Sequence, residues 1–307
     1  MSKDSRARAE IVPSAGPAPG RDGRTTLATG VGGLGVGGLD RYRRNLAVFA
    51  LAWVLVLIAL AAVLADPARI GVDSHAYWMA WRIGLYGPRT AFGGADAYLY
   101  SPAFAAALFP LTALPLSAFQ ALWYALALAA WVWLLDPVRP AVRVPLFLAC
   151  AIISLVGNVE WLLAISVVLA TSLPSAWAVP ILTKVSFGVG LVWYVARGEW
   201  RRLAGVGVTV ILLVAVTAFL PWWRWLEFLL SNAGGGFVLG LGIPVLPRAV
   251  LSAAVLAWGA RADRPGLIPV AMVIASPNVW VGTFVILAAI PRVSRSAKAR
   301  QAVGQVQ

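Results

Sequence analysis

The sequence predicts an all-α polytopic membrane protein with about eight to ten transmembrane helices. Its residues are 61% hydrophobic and only 12% charged, whereas soluble domains carry roughly 45–50% apolar and about 25% charged residues. A bilayer offers no water to backbone groups, so a segment that crosses it forms its hydrogen bonds internally, as a helix does. Regular alternation of apolar and polar residues, which is typical of membrane β-barrels, is absent from the sequence.

The positive charge of the chain is arranged as in a membrane protein. The formal net charge is +13. Basic residues collect at the ends of apolar runs, in the stretches RYRR (41–44), RGEWRR (197–202), GARADR (259–264) and PRVSRSAKAR (291–300). Lys and Arg mark cytoplasmic flanks in this way, so membrane lipids rather than nucleic acid are the expected partners. The single cysteine, Cys150, excludes a disulfide or a cysteine-based metal site within the chain.

Three regions are expected along the chain. Residues 1–44 are rich in Gly, Ala, Ser, Pro and Arg, which predicts a disordered basic cytoplasmic tail. Residues 45–291 form the predicted transmembrane domain, and residues 292–307 form a basic cytoplasmic tail. The first apolar run, Asn45–Leu64, is long enough to cross a hydrocarbon core of about 30 Å as a retained signal anchor. The expected location is the inner (plasma) membrane, crossed several times, with a cytoplasmic N-terminus.

Further apolar segments follow the first span in a regular order. Their limits are 102–116, 118–135, 144–156, 159–173, 176–195, 203–220, 236–258 and 267–290. Several are short or contain Pro or Gly, and broken helices of this kind occur where they line a buried or water-filled cavity. The sequence leaves open whether 267–290 crosses once or forms two half-helices.

Two stretches predict helices that lie on the membrane surface. Residues 65–100 form the longest polar interval within the transmembrane domain and are expected outside, where the aromatic residues after Asp73 suit a surface helix. The stretch PWWRWLEFLL (221–230) combines four aromatic residues with an arginine and a glutamate. It is interpreted as an interfacial helix or aromatic anchor on the same side.

Two carboxylates are the strongest candidates for chemistry. Glu160 lies in the apolar stretch GNVEW, where an ionisable group is costly unless it is paired or functional. Asp73 lies in the outer loop, where it either caps its helix through the side-chain oxygens or acts as a general base. His75, the only histidine, is interpreted as an ordinary polar loop residue.

Two cations also lie in apolar surroundings. Lys184 falls inside the predicted span 176–195, and Arg248 follows a proline-bounded turn in PVLPRAVL. Each of them either pairs with an acidic side chain, Glu160 in the case of Lys184, or binds a phosphate. The sequence leaves both interpretations open for both residues.

The order of these features resembles the polytopic GT-C glycosyltransferases, and within them glycosyltransferase family 87, mannosyltransferases of actinobacterial type that use polyprenyl-phosphate-mannose. The stretches that carry the resemblance are GVDSHAYWMAWRIGLYG (71–87), YLYSPAFAAALFPLTALPLSAFQALW (98–123), GNVEWLLAISVVLA (157–170), ILTKVSFGVGLVWYVARGEWRR (181–202) and ASPNVWVGTFVILAAIP (275–291). The chain has Ser101 where the family usually has a proline, and Glu160 where an asparagine is common.

The resemblance implies a GT-C-like bundle and a membrane hexosyltransferase. It would move a hexose, expected to be mannose, from a polyprenyl-phosphate donor to a lipid or glycan acceptor on the extracytoplasmic face. A carboxylate near the headgroups accepts the proton of the attacking hydroxyl, and cations stabilise the departing phosphate. Asp73 is the expected general base; the expected substrate-binding residues are Tyr77, Arg82, Tyr98, Tyr100, Glu160, Lys184 and Arg248. The donor lipid is a substrate, and this chemistry requires neither a metal ion nor a cofactor.

The alternative is a non-enzymatic membrane protein. It would be a pseudoenzyme that binds polyprenyl lipids, or a translocator of lipid-linked substrates. Glu160 and Lys184 would then form an intramembrane ion pair that packing or transport requires.

Overall fold

The computed structural model describes residues 36–86, 96–231, 236–239 and 241–296, and the rest of both predicted tails lies outside these ranges. Two compact units are distinguished, Met1–Arg43 and Arg44–Gln307. In the first, only the start of helix α1 is described. That helix begins at Val36, within the region predicted to be disordered. Once a helix is nucleated, each further residue adds a hydrogen bond, so a span readily continues beyond its apolar part.

Two helices of the described chain are long and apolar enough to cross a membrane. They are α1 (Val36–Leu64), whose candidate span is Asp40–Leu64, and α4 (Leu116–Leu135), which has 20 residues. At about 1.5 Å per residue, α4 matches a hydrocarbon thickness of about 30 Å.

Side-chain hydrogen bonds connect regions near the ends of α1 and α4. Just beyond the end of α4, Arg139 Nη1 donates to Asn45 Oδ1 near the start of α1, at 3.2 Å. In the first turns of α4, Gln120 Nε2 donates to the carbonyl of Gly71, soon after α1 ends, at 3.4 Å. The two long helices therefore run in opposite directions between the same two levels.

The remaining α-helices of the described chain are shorter. They are α2 (Val72–Met79), α3 (Pro102–Leu108), α5 (Pro140–Ser154), α6 (Glu160–Ala170), α7 (Ala178–Thr183), α8 (Val192–Ala196), α9 (Trp200–Val216), α10 (Trp222–Ser231), α11 (Val245–Arg261) and α12 (Leu267–Ala275). Residues 290–296, at the end of the described chain, are also α-helical. Segments of 3-10 helix are found at Pro67–Arg69, Phe109–Ala113, Pro174–Trp177, Val185–Leu191 and Val281–Ala289.

Three of the predicted apolar segments are not continuous helices. Segment 176–195 is interrupted at Lys184, whose backbone is extended with φ −128° and ψ 91°. Segment 236–258 becomes α-helical only at Val245, directly after Pro244. Segment 267–290 consists of α12 and a 3-10 helix with extended backbone between them, so it is divided into two helical pieces. Prolines cannot donate to the helical ladder, and they lie at the last two interruptions.

A small sheet corrects the all-α prediction. Strands β1 (Phe237–Val238), β2 (Leu241–Gly242) and β3 (Asn278–Val279) pair in the order β2-β1-β3. The β1–β2 pair is antiparallel and the β1–β3 pair is parallel. Each strand has two residues, too few to produce an alternating pattern in the sequence.

Helix α6 lies at the centre of the fold. It packs against α4, the 3-10 helix Val281–Ala289 and the 3-10 helix Pro174–Trp177. The core around it is aromatic, and Trp131, Trp177 and Phe187 are fully buried. By contrast, α9 buries a single side chain, Val206, and most of the apolar side chains of α1 are exposed. Such apolar outer faces are typical of helices that contact lipid.

Candidate functional site

The start of α2 is fixed against the turn that precedes α6. The backbone N–H groups of Gly71 and Asp73 donate to the carbonyls of Leu155 and Val156, at 2.8 and 3.1 Å. Gly157 closes this contact: its φ is +87°, and a Cβ there would lie 2.6 Å from Ser74 Oγ. Only glycine allows the two backbones to approach so closely. Asp73 is thereby held beside the start of α6.

Glu160 is the first residue of α6, and it forms a buried ion pair. Its Oε1 atom lies 2.5 Å from Lys184 Nζ, and the exposed fractions of the two side chains are 1% and 22%. Lys184 reaches this position because the helical backbone is interrupted there. The sequence named Glu160 as the acidic partner of Lys184, and this pairing is confirmed.

Asp73 contributes a carboxylate that is not engaged by the protein. It lies inside α2, which begins at Val72 with Gly71 as its N-cap, so the helix-capping interpretation of Asp73 is wrong. Within the described ranges its side chain has no hydrogen-bond or ion-pair partner. Burial raises the pKa of Asp73 to about 6; the nearby Glu160 adds to this shift and Lys184 offsets part of it. The carboxylate is therefore close to Glu160 and Lys184 and free to accept a proton.

Aromatic side chains form one wall of this site. Tyr77, one turn after Asp73 on α2, donates its hydroxyl hydrogen to Tyr100 Oη at 3.2 Å. The Tyr77 ring also packs on Trp123 and Phe104, with centroid distances of 5.2 and 5.9 Å. Tyr77 and Tyr100 both lie near enough to Asp73 for its charge to disfavour their ionisation. Asp73, Tyr77, Tyr100, Glu160 and Lys184 are referred to below as the polar cluster.

The wall is supported from behind by residues 98–101. Tyr98 is buried, and its hydroxyl donates to the carbonyl of Ser101 at 2.9 Å, so it does not face the cluster as a ligand group. The backbone N–H of Ser101 donates to the carbonyl of Leu182 at 3.2 Å, which joins this segment to α7 and hence to Lys184. Tyr98 thus supports the site from behind, whereas the resemblance implied that it binds substrate.

Unsatisfied polar atoms are concentrated beside the cluster. Seven buried side-chain nitrogen or oxygen atoms of the described chain have no hydrogen-bond partner, and five of them belong to two short segments. These five are both amide atoms of Asn158, Glu160 Oε2, Trp161 Nε1 and Ser186 Oγ. A buried polar group without a partner is costly, so their concentration indicates a place built to receive water or a polar ligand. Of these residues, the sequence singled out only Glu160. Asn158 and Trp161 belong to the stretch GNVEW that also contains Glu160, so this motif was the signal that could have pointed to them.

Arg82 and Arg248 are not brought into the polar cluster. Arg248 donates from Nη1, Nη2 and Nε to the carbonyls of Ser276, Pro277 and Pro244, at 2.6, 2.8 and 3.3 Å. Arg82 donates to the carbonyls of Trp78 and Thr112, both at 2.8 Å, and its guanidinium lies 3.5 Å from the Trp78 ring centroid. Both guanidinium groups brace the backbone, and the substrate-binding role that the resemblance implies for both stays a prediction.

His75, on α2, is held by an acidic residue of the interval 65–100 that also contains it. Its Nδ1 atom is hydrogen bonded to Asp96 Oδ1, and both side chains are partly exposed. The pair fixes residue 96 next to α2. His75 itself lies inside α2, so its interpretation as a loop residue is wrong, although its side chain is an ordinary polar group paired with Asp96.

Comparison of the chain with protein-family models, with curated proteins and with solved structures gave no match. The chemistry of the polar cluster is therefore the basis for a functional assignment. It combines an unengaged carboxylate with a cation held by a second, buried carboxylate. Such a site can accept a proton and stabilise a negative charge at neighbouring positions.

Proposed function

We propose that the protein is a polytopic membrane hexosyltransferase of the GT-C type, transferring mannose from a polyprenyl-phosphate donor to a lipid or glycan acceptor on the extracytoplasmic face. The single observation that carries the proposal is the unengaged Asp73 carboxylate beside the Glu160–Lys184 ion pair. The resemblance of the ordered motifs to glycosyltransferase family 87 suggests the donor class. The two membrane-length helices support a lipid-linked substrate, whose sugar lies at the level of the headgroups.

The polar cluster can perform the transfer in one displacement. The acceptor hydroxyl oxygen attacks the anomeric carbon of the sugar, and its proton passes to an Asp73 carboxylate oxygen. The bond between the anomeric carbon and the phosphate oxygen breaks, and its electron pair stays with the polyprenyl phosphate. The Lys184 ammonium stabilises the charge that develops on this phosphate.

Glu160 is a positioning residue in this scheme. Its Oε1 atom holds Lys184 Nζ at 2.5 Å, which keeps the ammonium in one place. Glu160 Oε2 and the Asn158 amide, which have no partner in the described chain, are available to hydroxyl groups of the sugar. The Tyr77 and Tyr100 rings meet edge to face, and Tyr100 is the partly exposed one, so the Tyr100 ring is the aromatic side chain available to a sugar.

The test is sugar transfer by the purified protein in nanodiscs, with radiolabelled polyprenyl-phosphate-mannose and a crude lipid acceptor extract. Wild type is compared with Asp73→Asn and with the matched control Asp66→Asn, whose carboxylate pairs with Arg69 in the same loop. We expect transfer by wild type and Asp66→Asn, and none by a normally folded Asp73→Asn. Transfer by Asp73→Asn would exclude Asp73 as the general base.

The second candidate is a non-catalytic protein that binds or translocates polyprenyl lipids. The buried Glu160–Lys184 pair is compatible with it too, because in such a protein the pair would serve packing or transport. Donor binding without transfer by wild type would favour this candidate. Under the first proposal, wild type both binds the donor lipid and transfers its sugar.

A further inference from the structure

A second charged group lies at the opposite end of α4 from the polar cluster. Three arginines approach one carboxylate, Asp136, directly after the last residue of the helix. Arg292 Nη2 lies 3.3 Å from Oδ2, Arg143 Nη1 lies 3.8 Å from Oδ1, and Arg295 Nη1 lies 3.9 Å from Oδ2. These three side chains with Asp136 are referred to as the arginine cluster.

The single carboxylate does not neutralise this cluster. Three cations and one anion leave two positive charges in excess. Asp136 and Arg295 are mostly exposed, with side-chain exposed fractions of 56% and 70%, so the excess charge can be approached from solvent. All three contacts are longer than an ordinary hydrogen bond of about 2.7–3.2 Å between nitrogen and oxygen. The guanidinium groups thus retain donors for a further anion.

Two arginines have further contacts besides the one to the Asp136 carboxylate. The Arg292 guanidinium lies 4.3 Å from the centroid of the Trp133 ring, and its Nε atom is buried without a hydrogen-bond partner in the described ranges. Arg143 donates from Nε to the carbonyl of Val138 at 3.0 Å and from Nη2 to the carbonyl of Asp136. The cluster is therefore a pre-arranged set of donors, which reduces the entropy that a ligand would have to overcome.

The position of the cluster suggests the source of the anion. Asp136 follows the end of α4, one of the two helices of membrane length. The neighbouring Arg139 is hydrogen bonded to Asn45 in the first turns of the other one. When these helices cross a bilayer, the cluster lies at the level of the headgroups, where anionic lipids present phosphate to basic side chains.

We infer that the arginine cluster binds the phosphate of an anionic phospholipid headgroup. Guanidinium groups donate parallel hydrogen bonds to two phosphate oxygens, a geometry that a lysine does not offer. Asp136 keeps the arginines together in the absence of lipid. The phosphate occupies the side of the cluster that Asp136 leaves open. This site lies apart from the polar cluster and does not depend on sugar transfer.

The test measures the binding of short-chain, water-soluble phosphatidylglycerol to the purified full chain in detergent. Microscale thermophoresis gives the affinity. Short-chain phosphatidylcholine and inorganic phosphate are titrated in parallel. We expect phosphatidylglycerol to bind at least about tenfold more tightly than either, because the cluster provides several charge-assisted hydrogen bonds. Equal binding of phosphatidylcholine would overturn the inference, and equal binding of inorganic phosphate would overturn the assignment to a lipid.

Variants localise the binding. Arg295→Gln removes a mostly exposed arginine, so its fold is expected to be intact, and Arg143→Gln tests a second donor. Each is expected to weaken phosphatidylglycerol binding by about tenfold. The matched control is Arg201→Gln, an exposed arginine on α9, which is expected to leave the affinity unchanged. A loss of affinity of the same size in the control, or none in either cluster variant, would show that binding is a general effect of charge.

Discussion

Lys184, which is partly buried, and Arg248, which is buried, have different surroundings. Lys184 has one charged partner, Glu160, and lies beside polar atoms that lack any partner. Arg248 donates from all three of its nitrogen positions to backbone carbonyls. Both lie in apolar segments, and pairing or phosphate binding was left open for both on the sequence alone. The comparison teaches that a buried cation is available for chemistry only where the backbone has not already taken up its donors.

The largest expected effect is loss of transfer when the ion pair is replaced by the neutral pair Glu160→Gln with Lys184→Met. Removing both charges avoids leaving one of them buried alone, so the protein is expected to fold. Transfer is expected to fall by about 100-fold or more, the size of losing one donor to a developing negative charge. The measurement is the nanodisc transfer assay, with thermal unfolding in parallel.

The single variants sharpen this result. Lys184→Met alone leaves the buried Glu160 carboxylate without its cation and is expected to be less stable than the double variant. A double variant that folds and transfers at the wild-type rate would assign the pair to packing alone.

Arg248→Met is expected to act on stability. It leaves the carbonyls of Ser276 and Pro277 without their guanidinium donor. Loss of hydrogen bonds to a charged group is expected to lower the free energy of unfolding by about 2–4 kcal/mol. Unfolding in detergent measures this, and the KM for the donor is expected to stay unchanged in the folded fraction. A stable variant with a raised KM would instead restore the phosphate-binding role that the sequence predicted.

The pH dependence of transfer tests the protonation of Asp73, the carboxylate beside Lys184. Since the pKa of Asp73 is raised to about 6, the carboxylate form that accepts a proton is lost below that pH. We expect kcat/KM to fall about tenfold per pH unit on the acid side. The usual pKa of an aspartate is about 3.9. A profile that stays flat down to pH values near 4 would therefore contradict a raised pKa of Asp73.

The same pKa shift predicts a change of stability with the opposite sign. The folded protein holds the Asp73 proton at pH values where the unfolded chain, with the ordinary pKa, has released it. The folded state is therefore stabilised as the pH falls from 7 towards 5. In Asp73→Asn this contribution is expected to be missing from the pH dependence of thermal unfolding.

The smallest expected effect is that of Ser101→Ala, in the segment 98–101 that supports the aromatic wall. Ser101 is the N-cap of α3, and its Oγ atom accepts a hydrogen bond from the N–H of Phe104 at 3.3 Å. Loss of this cap is expected to cost about 1 kcal/mol, measured by thermal unfolding. Transfer is expected to continue at the wild-type rate. A large loss of transfer would show that Ser101 belongs to the site itself.

Local sequence determined the features that depend on neighbouring residues. A run of about twenty apolar residues is sufficient to specify a helix of membrane length, and α1 and α4 correspond to two such runs. Glu160 and Lys184 were identified because a charge in an apolar stretch is costly unless it has a partner. Asp73 was named from its place in the outer loop and from the resemblance.

Only the tertiary structure decided which of these residues meet. Asp73 lies next to Glu160 because the start of α2 is hydrogen bonded to the turn at 155–157, a contact between residues far apart in the sequence. Lys184 reaches them because its backbone is extended between two helical segments. Arg248 is held by carbonyls at 276–277, whose position no local pattern specifies. The physical reason is common to all three: local propensities set the helices, whereas long-range hydrogen bonds and the close approach at Gly157 set the positions of the side chains between them.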